Sequence, residues 1–230
     1  RKAVLAGNVP ANARTLVPIQ VSSMGTDQKK HVATFFVAAD YMSIGSDADS
    51  VRMPMTPASC MDIGKSLGCS LVTPKVSDDV FEASTIRLSP KSLTNDREAP
   101  ATFLQHHQLI ESQLQALAAD ADRWRGQKKT SPIVGIKKDI VISRKLLDKP
   151  NRVAIYGWHY PDGRPIQPVY AGHVDWYTDY SHGLRLIDES ILIDGKEYNL
   201  SDAILDPDLH PLLSHEGPID LRSIRNTAGW

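Results

Sequence analysis

The side chains best suited to chemistry crowd into the C-terminal half. The segment YTDYSHGLRLI, residues 177–187, holds seven that donate, accept or carry charge: Tyr177, Thr178, Asp179, Tyr180, Ser181, His182 and Arg185. Upstream, RVAIYGWHYPDGRP sets Trp158 and His159 just before a turn, and VYAGHVDWY adds His173 and Asp175. An imidazole serves as general base near neutral pH, and a carboxylate assists it. A hydroxyl attacks, and a guanidinium holds a carboxylate or a developing oxyanion. The chemistry this set points to is hydrolysis. His173 would be the base with Asp175 beside it, Ser181 or a water would attack, and His182 and Arg185 would bind substrate or stabilise charge. His159, Trp158 and Tyr180 are expected to contact the substrate.

Spacing limits these roles. On a strand 170–177 the two-residue period puts Ala171, His173, Asp175 and Tyr177 on one face. It puts Tyr170, Gly172, Val174 and Trp176 on the other, which reads as apolar and core-directed. His173 and Asp175 are then about 6–7 Å apart. Ser181 and His182 are adjacent, so in extended chain they point to opposite faces and cannot pair with each other. A base for Ser181 must come from His173 or His159. The structural alternative is a turn-shaping role for Ser181 and His182, and a packing or surface role for Asp179 and Tyr180.

The remaining reactive groups are sparse. Cys60 lies in an apparent helix and Cys69 just past its end. Nine helical residues turn the pair to opposite faces, so a disulfide is not expected. Each reads as a small buried hydrophobe, with Cys69 as a remote alternative nucleophile. There is no HExxH, CxxC, GxGxxG or Walker pattern, so no metal and no cofactor is expected. The one metal set left open would gather His159, His173, Asp175 and His182 from several strands. His106 and His107 diverge by about 100° on their helix.

The elements that must position these groups follow from local pattern. LVPIQVS (16–22) and HVATFFVA (31–38) read as a hairpin, and VRMPM (51–55) as a short strand. Residues 1–15 read as extended. Thr56-Pro57 opens a helix that Gly68 closes, and Ser77 caps a second. A third helix spans about 101–122, with Phe103, Leu104, Leu109, Ile110, Leu114 and Leu117 as its apolar face. RGQKKTSP (125–132) breaks that pattern. Strands follow at 139–143, 152–158, 169–177 and 183–187. SILIDGKEYNL is a hairpin turning at Asp194-Gly195. Ser201 caps a short helix, and the tail from Pro207 reads as loop. The class expected is α+β, with mainly antiparallel β in the C-terminal half and several helices in the N-terminal half. The chain of 230 residues fits a single domain over 1–230, with 96–130 as a possible helical insertion.

Bulk properties narrow the partners to a polymeric or small-molecule substrate. A formal net charge of −1 and the lack of a basic run argue against nucleic acid. No run of about 18 apolar residues is present, so no membrane span is expected. Lys137, Lys138, Arg144 and Lys145 bracket strand 139–143. They read as solvated strand ends, with contact to an anionic polymer as the alternative. A start at Arg1 fits removal of a signal peptide, or trimming.

SHGLRL, residues 181–186, resembles the Ser-His-Gly-Cys-(Ile/Val)-Arg signature of the L,D-transpeptidases, with His173 standing for their upstream histidine. Ser181, His182, Gly183 and Arg185 match. The nucleophilic cysteine has no counterpart, because Leu184 follows Gly183 and Arg185 comes one residue early. The resemblance covers about a dozen residues and implies a cell-wall context without transpeptidation. The strings GNVP, MPMTP, GCSLVTPK, KKDIVIS and RVAIYGWH are similar to an uncharacterised bacterial family of apparently secreted proteins. That likeness implies a secreted or periplasmic location. The leading expectation is therefore a hydrolase of an amide-linked extracellular polymer such as peptidoglycan. A polysaccharide lyase using Tyr180, His182, Arg185 and Lys138 is one alternative. The other is a non-catalytic carbohydrate or cell-wall binding module presenting Trp158, Tyr160, Trp176 and Tyr177.

Overall fold

Alternating apolar residues build the first sheet from both ends of the chain. In the computed structural model, which describes residues 1–120 and 131–230, β1 (Leu16–Met24) and β2 (Lys30–Ala38) pair antiparallel along their whole length. Their inward side chains Val17, Ile19, Ala33, Phe35 and Val37 enter the main core. The other edge of β2 receives the C-terminal run. There β12 (Leu186–Asp188) meets Val37, and β13 (Ser190–Ile193) meets Thr34 and Ala33. Asp194 and Gly195, at φ 52° and 78°, turn β13 into β14 (Lys196–Asn199) as an Asp-Gly pair should. β5 (Cys69–Leu71) pairs on the far side of β12.

The second sheet carries the chemistry-bearing segments. Its order is β10 (Pro165–Val174), β9 (Arg152–His159), β8 (Lys138–Ile140) and β11 (His182–Gly183). The β10–β9 and β9–β8 pairs are antiparallel, and β11 runs parallel to β8. Helices α3 (Pro57–Ser66), α4 (Pro74–Ala83) and α5 (Pro100–Ala119) occupy the first half, giving a mixed α+β architecture.

Several local expectations need correction. Residues 1–15 are not extended: Lys2–Leu5 and Ala11–Arg14 each form a single helical turn. α4 is capped by Thr73, whose Oγ1 accepts from the Val76 N–H at 3.1 Å, because Pro74 takes the first helical position. Ser77 is thus inside the helix, not before it. Asn199 rather than Ser201 caps the helix Leu200–Leu205. The stretch 51–55 contributes only its first two residues to a strand, Ser50–Arg52. The tail contains a helix, Leu221–Ala228, capped by Asp220 and ended by left-handed Gly229. The buried residues of α5 are Thr102, His106, Ile110 and Leu117, while Leu104 is 46% exposed. Residues 121–122 of its expected span, and positions 125–130 of the break after it, lie outside the described residues.

The expected strand 183–187 is two strands because the chain changes sheets at Leu184 and Arg185. A side chain at Gly183 would put its Cβ 2.4 Å from Tyr41 Cδ1 and 2.8 Å from Lys137 Cβ, so only glycine fits the approach. Arg185 follows, 1% exposed. Its Nη1 donates to the Ala38 carbonyl at 2.7 Å and its Nη2 to the Ile133 carbonyl at 2.6 Å. Its Cζ lies 4.2 Å from the Tyr41 ring centre, and Nε is 3.9 Å from Asp139 Oδ1. One buried cation therefore ties the end of β2 to the Ile133 segment and to β8. Removing it leaves the Asp139 carboxylate without its cation and two interior carbonyls without this donor. We expect Arg185→Ala to cost about 3–5 kcal/mol in urea denaturation. A loss below about 1 kcal/mol would show that the guanidinium is not the tie.

Candidate functional site

The residues picked out by sequence do not converge on one hollow. Of His173, Asp175, Ser181, His182, Arg185, His159, Trp158 and Tyr180, only His173 and Asp175 keep appreciable exposure. Arg185 is committed to the interior, so it is not a substrate-binding cation. His159 is also buried. Its Nε2 bonds Asp78 Oδ1 at 2.8 Å, where Tyr156 Oη also donates at 2.8 Å, and its ring stacks on Phe81 at 4.7 Å. Gly157, at φ 93°, leaves the room this needs, since a Cβ there would lie 3.0 Å from His159 Cε1. Tyr180 is fully buried, with Oη donating to the Leu93 carbonyl at 2.9 Å. Tyr180 and Arg185 are therefore closed to an acidic sugar, and the set a lyase would use is broken.

The strict two-residue period fails on β10. Its pairing with β9 shifts register between Gln167 and Tyr170 and again between Tyr170 and His173. A bulge rotates the strand beyond it. As a result Ala171 is buried, while Tyr170 is 44% and Trp176 71% exposed, the reverse of the expected faces. The strand ends at Val174, and Asp175 sits in the turn after it, its N–H bonded to the Asn151 carbonyl at 3.1 Å. Asp175 faces a shallow depression with Pro150, Asn151, Arg152 and Trp176, and is not a partner of His173.

A ring cluster does assemble on the sheet surface. His173 stacks on Tyr177, with centroids 4.4 Å apart and planes 23° apart. Tyr170 meets His173 edge-on at 5.1 Å. Beneath them His182 lies 6.0 Å from His173 and 5.8 Å from Tyr177. Asp179 is the hub. Its Oδ1 accepts from Ser181 Oγ at 2.5 Å and the Ser181 N–H at 2.8 Å. Its Oδ2 accepts from Arg97 Nη2 at 2.8 Å and Tyr177 Oη at 3.1 Å. Burial opposes ionisation of Asp179, yet the His182 ring when charged, with Ser181 and Arg97, holds its carboxyl well below the usual range. Ser181 is fully buried and its hydroxyl proton is given to Asp179. It has no base and no approach for a substrate.

Sequence reading also missed the layer behind this cluster. Lys137 and Lys138 are not solvated strand ends. β8 lies between β9 and β11, and both lysines are buried, at 1% and 8% exposure. Lys137 Nζ donates to the Tyr180 carbonyl, and burial pushes its amine down to about 7. Lys138 Nζ lies 5.6 Å from the Trp158 ring centre. His106, on α5, packs edge-on to Tyr180 at 4.8 Å and to Trp158 at 6.0 Å. The only early signals were the KK pair and His106 itself, and nothing local said they would be covered.

Reactive groups elsewhere are quiet. Burial pushes the Cys69 thiol up to about 11, with Asp188 and Glu189 adding to the shift, so little of it is thiolate at neutral pH. Cys60 and Cys69 are both free. A cleft of about 570 Å³ lies between Asn12, Asp47, Asp49, Ser50, His107 and Glu111. Its cation, Arg52, is already bonded to Asp40 by Nη2 at 2.6 Å and to Glu111 by Nη1 at 2.5 Å. The metal set His159, His173, Asp175 and His182 is not brought together, and among the described residues no group of three or more His, Cys, Asp or Glu could hold a metal ion.

The buried imidazoles make a stability prediction. His106 and His182 have no hydrogen-bond partner on either ring nitrogen, and burial pushes both down to about 3. In the unfolded chain a histidine takes up its proton near pH 6.5, so between pH 6.5 and 3 the unfolded state binds more protons. Stability is then lost as pH falls below 6.5, by about 1 kcal/mol per pH unit for each ring. Urea denaturation between pH 7.5 and 4.5 should show this slope, and His106→Phe should flatten it by roughly one ring's share. An unchanged slope would mean that His106 already charges in the folded state. No known family model, curated protein or solved structure matches this chain, so the reading of its function rests on the ring cluster itself.

Proposed function

We propose that this protein is a binding module for a sugar-containing polymer outside the cell, and that Tyr170, His173 and Tyr177 form its ligand face. The observation that carries this reading is the pre-stacked pair of His173 and Tyr177, 4.4 Å apart, with Tyr170 edge-on at 5.1 Å. Rigid aromatic faces bury much area at small entropic cost, and these are already held in place by Asp179 and the buried layer below. Trp176, 71% exposed, extends the apolar surface from the following turn. Arg97, partly exposed while bonded to Asp179, puts a cation at the edge of the same group.

A second reading is hydrolysis of an amide-linked polymer with His173 as general base and water as nucleophile. It is favoured by the position of His173, which keeps partial exposure and is held in place against Tyr177 and Tyr170. In that case Ser181 takes no part. The two readings separate by experiment. Pull-down on purified peptidoglycan and on insoluble acidic polysaccharide should retain the protein. Tyr177→Ala should weaken retention about tenfold with urea stability changed by less than about 1 kcal/mol. Retention unaffected by Tyr177→Ala and by Tyr170→Ala would end the binding reading. Release of soluble fragments by the wild type, abolished in His173→Ala, would establish the hydrolytic one.

A further inference from the structure

Behind the ring face, several buried polar groups lack a hydrogen-bond partner. Among the described residues Lys138 Nζ makes no hydrogen bond or ion pair; its contact is with the Trp158 ring. Trp158 Nε1 has no acceptor, and neither nitrogen of His182 or His106 has a partner. These three side chains are at most 3% exposed. They belong to one contiguous group. His106 is 6.0 Å from Trp158, Lys138 lies over Trp158, and Lys138 faces His182 in register across the parallel strands β8 and β11. His182 in turn lies under His173 and Tyr177.

The nearby acceptors are already used. Both oxygens of Asp179 are occupied by Ser181, Arg97 and Tyr177. The Tyr180 carbonyl is taken by Lys137. A buried donor left without a partner costs about 1–3 kcal/mol, and interiors rarely collect several in one place. A neutral imidazole carries one N–H and one accepting nitrogen, so the donors here that an incoming acceptor would complete are Trp158 Nε1, one nitrogen of His182 and the Lys138 ammonium.

We propose that Lys138, His182 and Trp158 receive a carboxylate borne by the bound polymer, as an acidic sugar unit would present. Lys138 supplies the charge, and the ring N–H groups of His182 and Trp158 supply hydrogen bonds. Arg97 is bonded directly to Asp179, whereas Lys138 feels that carboxylate without touching it, which leaves its ammonium free to meet a single added negative charge. A phosphate dianion would need a second free cation. Lys138, which keeps 8% exposure, marks the point of entry. This inference deepens the binding reading and rests on it for the rest of the ligand.

The test uses the full chain and sodium acetate as the probe, at constant ionic strength against sodium chloride. NMR of the Trp158 indole N–H and the His182 ring should show a saturable shift with acetate and none with chloride. Lys138→Met, which keeps the packing volume, should weaken the acetate response at least tenfold, and Trp158→Phe should weaken it independently. The inference is overturned if acetate gives no saturable shift, or if the response survives both Lys138→Met and Trp158→Phe. Loss of polymer retention in the wild type with the acetate response intact would instead remove the polymer reading and leave the carboxylate receptor standing.

Discussion

A guanidinium with almost no access to water holds the two sheets to each other. Taking Arg185 out of solvent costs several kcal/mol, which two carbonyls, the face of Tyr41 and the Asp139 carboxylate together offset. An apolar side chain of the same size could fill the space but could not choose among the carbonyls at the end of β2 and at Ile133. The guanidinium thus fixes which carbonyls meet it, at Ala38 and at Ile133. It also decides the fate of the residues just before it. Once Arg185 is anchored and Gly183 is pressed against Tyr41, Ser181 and His182 have nowhere to lie except inside.

That burial turns a string resembling catalytic machinery into a supporting layer. Asp179 collects donors from its own segment and from Arg97, so Ser181 becomes a clamp on the carboxylate and not a nucleophile. The same carboxylate accepts from Tyr177 Oη, which fixes the ring that stacks on His173. Order at the surface is therefore imposed from below. A tyrosine whose hydroxyl is held by a buried carboxylate loses little further entropy when a ligand lies on its face.

The class of fold was legible because it rests on local pattern. Alternation in β1 and β2, the Asp194-Gly195 turn, and Thr56-Pro57 opening α3 are each written within a few residues. The illegible features depended on neighbours distant in sequence. The bulges that put Tyr170 and Trp176 outside arise from pairing with β9, and nothing in VYAGHVDWY announces them. Lys137 and Lys138 looked solvated because lysine usually is, and their burial follows from β11 arriving more than forty positions later to close the sheet. The tail helix was hidden by its prolines and glycine, although Asp220 followed by Leu221 and Ile224 is a capped amphipathic turn. His173 was found from its residue type alone, while its partner in space is Tyr177, not Asp175.

Lys137, just before β8, and Lys138, its first residue, pose one problem and meet it in two ways. Neighbours on a strand point to opposite faces, so each ammonium enters a different environment. Lys137 is completed internally by the Tyr180 carbonyl, and burial weakens its hold on its proton until the charge itself becomes negotiable. Lys138 has a ring to lie on but no acceptor, and its cross-strand neighbour His182 has none either. If the interior only needed to tolerate a buried amine, the solution used for Lys137 would serve for both, and methionine would serve better still. Leaving the Trp158 N–H and the His182 ring without partners is costly in the free protein, and the proposed carboxylate would offset that cost. That asymmetry between adjacent residues, more than any motif, is why the proposed ligand carries a negative charge.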